Sequence, residues 1–153
     1  MQELIALLGR KCQCYKSFYR ICNDFLDEIS LGDLNNLSRF QNQRSGLLNV
    51  LEHLELDIQN FLKQFDESPG SFDALLTSEH KTQIQYLTRE KDSLIQAILE
   101  LDKQILSHID RQKNDTIQKL QSVQTGKKSV GAYRSSIDSV ERAEGKGRVD
   151  KEV

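Results

Sequence analysis

Apolar side chains recur at alternating steps of four and three through Leu4, Leu8, Tyr15, Phe18, Cys22, Phe25 and Ile29, with Lys11 as the one gap. Steps averaging 3.5 residues keep such positions on one helix face and describe a coiled-coil seam, so a first helix is predicted over about 2–30. The pattern stops at "SLGDL", where Gly32 is poor in a helix interior and Asp33 can accept from free N–H groups as the next N-cap. A second seam runs through Leu37, Phe40, Leu47, Leu51, Leu54, Ile58, Phe61 and Phe65, with Arg44 as its gap. It predicts a helix over about 34–65. "DESPGSFDALLTS" then holds the only Pro-Gly pair, which ends the helix and opens a loop whose Phe72, Leu75 and Leu76 can fold back over the bundle end. A third seam, Ile84, Leu87, Leu94, Ile98, Leu101 and Ile105, has Lys91 as its gap and then slips in phase to Ile109, Ile117, Leu120 and Val123. The third helix is predicted over about 79–124.

Three such helices with short connections pack as antiparallel neighbours. The expected fold is all-α: an up-down-up three-helix coiled-coil bundle over 1–124 with a long third helix, followed by a flexible tail over 125–153. Aligning the rods from their turns brings Lys11 and Lys91 to the level of Glu55, and Arg44 near that of Glu100. These cations are expected to snorkel with packed stems rather than to meet those carboxylates. The last dozen residues of the third helix, about 18 Å of it, overshoot the turn between the first two. Ile109 lies near that edge, and Ile117, Leu120 and Val123 lie past it. An apolar stripe left without neighbours either frays, packs on the tail or on a second copy, or binds a partner.

Composition agrees with helices: 29% of the 153 residues are charged and 37% hydrophobic, with one proline and no tryptophan. A net charge of −2 gives no global attraction to nucleic acid, and no run reaches the ~20 apolar residues of a membrane span. Only "TGKKSVGAYRSS" is locally basic, with Lys127, Lys128 and Arg134 beside Tyr133, and its Gly126 and Gly131 are expected to break the third helix. Cys12, Cys14 and Cys22 are odd in number, and the i, i+2 pair points to nearly opposite sides of a helix, so packing thiols in a reducing cytoplasm are expected. The start "MQELIALLGRK" carries an acid where a secretory leader has a basic region.

Enzyme chemistry finds no foothold. None of His53, His80 and His108 has a glutamate three residues before it, as a di-iron bundle needs, and neither H-E-x-x-H nor G-x-S-x-G occurs. "GKKSVG" starts like a phosphate loop, yet Ala132 and Tyr133 stand where lysine and a hydroxyl residue belong. No catalytic residue, metal or cofactor is expected.

The chain resembles the FlgN family of flagellar type III export chaperones, with the FliT chaperones as close cousins. The resemblance lies in the order of elements: "LDEISLGDLNNL" ending the first helix, "LSRFQNQRSGLLNVLEHL" in the second, "LTREKDSLIQAILELDKQILSHIDRQKNDTIQKL" in the third, and "GKKSVGAYRSS" in a polar tail. It implies a cytoplasmic helical chaperone without ATPase activity that holds hook–filament junction proteins before export, with the client site on the C-terminal part of the third helix. The residues there are Ile109, Ile117, Leu120 and Val123. It also implies that a tail tyrosine, here Tyr133, docks on the membrane export gate. The partners expected are therefore flagellar clients and an export-gate component, with no nucleic acid and no membrane insertion, for a monomer or homodimer. The alternatives are a self-associating coiled-coil protein without a client and an adaptor offering the basic strip to an acidic partner.

Overall fold

A computed structural model describes residues 1–65 and 71–146. The described residues form three long helices and one short one: α1 (Gln2–Ser30), α2 (Leu37–Lys63), α3 (Ser71–Leu75) and α4 (Ser78–Lys146). It divides into two units, Met1–Ile109 and Asp110–Val153.

In the first unit α1, α2 and the Ser78–Ile109 stretch of α4 make an up-down-up three-helix bundle. One end of its core joins Leu4 and Leu7 of α1 to Leu54, Ile58 and Phe61 of α2, with Ile84 of α4 packed alongside. The other end joins Phe18, Cys22, Phe25 and Ile29 to Phe40 and to Ile98, Leu101 and Ile105. Each such side chain contributes about 1.5 to 3 kcal/mol on full burial, and Phe25 stacks on Phe40 with ring centroids 4.1 Å apart.

The cysteines explain why α1 buries more than one seam. Residues two apart on a helix point about 200° apart. The Cys12 thiol accordingly donates to the Leu87 carbonyl of α4 at 3.2 Å, and the Cys14 thiol to the Leu47 carbonyl of α2 at 3.6 Å. All three cysteines are buried and free. Burial raises each thiol above its ordinary range, Cys22 to about 11, because the thiolate would lose its hydration.

The ends of the helices follow from local chemistry. Gly32 has φ 84°, a left-handed conformation that glycine adopts without strain, and its N–H reaches Ile29 O while the Asp33 N–H reaches Glu28 O. These two bonds close α1 as a Schellman motif. Asp33 does not cap α2 as expected: its Oδ1 accepts from the Asn35 N–H at 2.8 Å in an Asx turn, and α2 starts three residues late, at Leu37 with Asn36 before it. At the far end Gln64 and Phe65 bond back to Phe61 and Leu62 in a turn, so α2 closes at Lys63. The Pro-Gly pair lies outside the described residues. Beyond it Phe72 packs edge-on against Phe65 with centroids 5.5 Å apart, whereas Leu75 is exposed rather than folded back.

The cationic gaps are ion-paired, against the snorkelling expected of them. Lys11 pairs with Glu55, and that bond holds the Glu55 carboxyl below its ordinary range. Arg44 takes Asp102, not Glu100, in a two-pronged pair at 2.5 and 2.9 Å, with its guanidinium over the rings of Phe18 and Phe40. Glu100 is mostly exposed and pairs with Lys103 along its own helix. Lys91 pairs with its neighbour Asp92 at 3.1 Å.

The largest difference from the sequence expectation is the end of α4. It closes at Lys146 rather than near Gln124, so Gly126 and Gly131 lie inside a helix and residues 125–146 are not an unstructured tail. A glycine costs a helix about 1 kcal/mol relative to alanine, which is a penalty and not a stop. Gly32 ends α1 because it takes a positive φ, and neither Gly126 nor Gly131 does. No proline follows Pro69 to enforce an end. Residues 147–153, the remainder of the expected tail, lie outside the described residues.

Candidate partner-binding surface

The sequence points to Ile109, Ile117, Leu120, Val123 and Tyr133 as partner-binding residues, and the structure separates the first from the rest. Ile109 is half-buried and packs against the core cluster that contains Ile105, so it is a bundle residue. Ile117, Leu120 and Val123 are 40%, 59% and 55% exposed, although each is large and apolar. Tyr133 is exposed as well, on helix rather than on a tether.

Sequence reasoning missed three members of this surface. Thr116, Val123, Val130 and Ile137 follow one another at steps of seven, so they form one row along the helix, drifting only about 20° per step. Val130 and Ile137 are as open as Val123 and Ile117 respectively. The seven-residue spacing was available to find them; ending the helix at Gln124 hid it.

The reverse side of the same helix is chemically quiet. Thr125 Oγ1 donates to Gln121 O at 2.9 Å, Ser129 Oγ to Thr125 O at 3.1 Å, and Ser136 Oγ to Tyr133 O at 2.7 Å. Hydroxyls turned back on their own carbonyls are already satisfied, which leaves the apolar row as the feature with an unmet preference. Every described side chain from Lys113 to Ile137 is exposed. Burying four or five of the large apolar ones against a partner, at about 1.5 kcal/mol or more each, is enough to support binding.

The bundle also carries a concavity. A groove of about 390 Å³ is floored by Tyr15, Phe18 and Leu51 and has half-exposed Leu48 and Leu99 at its mouth. Its ionisable lining residues are largely committed, Glu55 to Lys11 and Asp102 to Arg44. Among the described residues no group of three or more His, Cys, Asp or Glu side chains could hold a metal ion. Among the same residues no helix is long and apolar enough to cross a membrane. The arrangement offers apolar contact surface and paired charges.

The fold and this surface define an all-α three-helix bundle with an apolar row open along the later part of its last helix. Comparison with family models, with curated proteins and with solved structures gave no match to the chain.

Proposed function

We propose that the protein is a cytoplasmic export chaperone of the FlgN kind, which holds flagellar late substrates of the hook–filament junction type and hands them to the type III export gate. The observation that carries this reading is a set of large apolar side chains on one helix, Ile117, Leu120, Val123, Val130 and Ile137, each at least 40% exposed, of which Val123, Val130 and Ile137 share one row with Leu120 at its flank. Monomeric proteins rarely leave such a stripe open without a use for it. The family resemblance supports the same segment. Its implied client site falls on the C-terminal part of the third helix, less Ile109, which the bundle core already uses.

In this mechanism an amphipathic helix of the client lies along the stripe, as in helix-in-groove recognition. Covering the client's apolar face keeps it from aggregating until release. No covalent chemistry is involved, and binding is moderate because the helix is ordered at the same time as it is occupied. Tyr133, open to solvent and next to Arg134 in the sequence, is the contact proposed for the gate.

The test is capture of junction proteins from lysate of the source cell by the full chain and by the double variant Leu120→Asp, Val123→Asp. The expected result is loss of capture with the thermal transition of the bundle unmoved, since both residues are exposed. Undiminished capture by the variant removes this surface from the account. A chain that is a dimer by light scattering and becomes a monomer in the variant supports self-association without a client instead.

A further inference from the structure

Charge is divided unevenly along this chain. Residues 1–109 hold sixteen carboxylates against eleven lysines and arginines, whereas residues 110–153 hold seven against ten. The excess is concentrated between Thr116 and Ile137, where Lys119, Lys127, Lys128 and Arg134 occur without one acidic residue. Among the described residues none of these four cations is paired with a carboxylate.

Their position on the helix carries more than their number. At about 100° per residue, Lys119, Lys127 and Arg134 fall within about 60° of the centre of the row formed by Thr116, Val123, Val130 and Ile137. The cations therefore interleave with the apolar side chains. The opposite face, with Ile117, Gln118, Gln121, Thr125, Ser129 and Ser136, is neutral apart from Lys128.

We propose that this surface takes an acidic amphipathic helix: a protein segment whose own apolar stripe lies on the Thr116–Ile137 row and whose Asp and Glu side chains reach Lys119, Lys127 and Arg134. This narrows the client reading above and rests on it. Three other occupants fit the pattern less well. A second copy of the segment, in either direction, brings cations only to cations, and like charges across a helix seam oppose pairing. A membrane-surface helix keeps its cations on the wet face, opposite its apolar stripe, whereas here they would be carried into the acyl boundary. A nucleic acid would neutralise the lysines and leave the valine and isoleucine row in water.

The experiment uses the full chain and three labelled peptides of about 21 residues, each with one leucine heptad stripe. The remaining positions are mainly Glu in the first, Gln in the second and Lys in the third. Binding is followed by fluorescence anisotropy at about 50 and 500 mM salt. The Glu peptide is expected to bind about tenfold tighter than the Gln peptide at low salt, with the Lys peptide weakest and the gap closing at high salt. In the triple variant Lys119→Glu, Lys127→Glu, Arg134→Glu the order of the Glu and Lys peptides should invert. Because these side chains are exposed, the bundle transition serves as the folding control.

Equal binding of Glu and Gln peptides, lost in Leu120→Asp, Val123→Asp, overturns the acidic preference and leaves the client surface standing. Binding of no peptide, or binding that ignores the Asp substitutions, overturns both. Tighter association with phosphatidylglycerol vesicles or with oligo-dT than with the Glu peptide overturns the choice of a protein partner. A dimer of the full chain that the Asp substitutions dissociate overturns the exclusion of a second copy.

Discussion

The Ser78–Ile109 stretch of α4 and the stretch from Asp110 to Ile137 are parts of one helix with opposite fates. Ile98, Leu101 and Ile105 are 7%, 8% and 3% exposed, whereas Leu120, Val123 and Val130 are 59%, 55% and 59% exposed. Both stretches are helical, and both space their apolar residues at the helical period. The difference lies in what faces them. The first stretch meets Phe18, Cys22 and Phe40 across the bundle, and the second has no comparable neighbour among the described residues. Periodicity thus states which face of a helix is apolar, while the presence of a covering element decides whether that face is core or surface.

The sharpest way to break this contrast is truncation on each side of it. Ile105→Ala should cost about 3 kcal/mol, since it leaves a cavity in the core, whereas Leu120→Ala should stay within about 0.5 kcal/mol. Denaturant titration of the two variants tests this, and comparable losses would mean that Leu120 is covered in solution. Asp102→Ala comes next. It leaves the Arg44 guanidinium among Phe18 and Phe40 without its partner, and should cost about 2 kcal/mol, less than a fully buried pair because both side chains are about a quarter exposed. Asp102→Glu should recover part of that loss.

Glycine substitutions sharpen the same contrast with opposite signs. Gly32→Ala should destabilise by about 1 kcal/mol, because alanine is strained at φ 84°. Gly126→Ala and Gly131→Ala meet open space at the added methyl, and each should favour helix by about 1 kcal/mol, read as greater ellipticity with the bundle transition unmoved. The smallest effect is a pH dependence. The Lys11 bond holds Glu55 below the ordinary 4.5, so its contribution is present above that pH and is lost as the pH falls through the lower folded value. Denaturant midpoints between about pH 7 and pH 3 should therefore fall less steeply in Glu55→Gln than in the parent chain.

Much of the bundle was legible because the sequence carries two agreeing signals there. The heptads name the seam and Gly32 names the end of α1, so the predicted bounds of that helix are those observed. Where one residue type serves two kinds of structure, the reading slipped. Asp33 reads as a helix cap and acts as an Asx turn, which moved the start of α2 to Leu37. Gly126 and Gly131 read as stops, yet only a left-handed backbone makes glycine a terminator, and φ is not written in the sequence. That error concealed Val130 and Ile137 and put Tyr133 on a tail. The Arg44 partner was missed by two positions because level along a rod was counted and direction around it was not: Asp102 faces the bundle and Glu100 faces water. Ile109 was assigned to the open stripe by its period, and only the three-dimensional neighbours return it to the core.

The paired thiols of α1 make the bundle its own reporter. Cys12 is covered where α1 meets α4, and Cys14 where α1 meets α2. Both are held in the slow-reacting thiol form by burial. Under sparing alkylation the first site to be labelled therefore names the helix that detaches first: modification of Cys12 ahead of Cys14 marks release of α4 from an intact α1–α2 hairpin, and the reverse order marks opening of the hairpin itself.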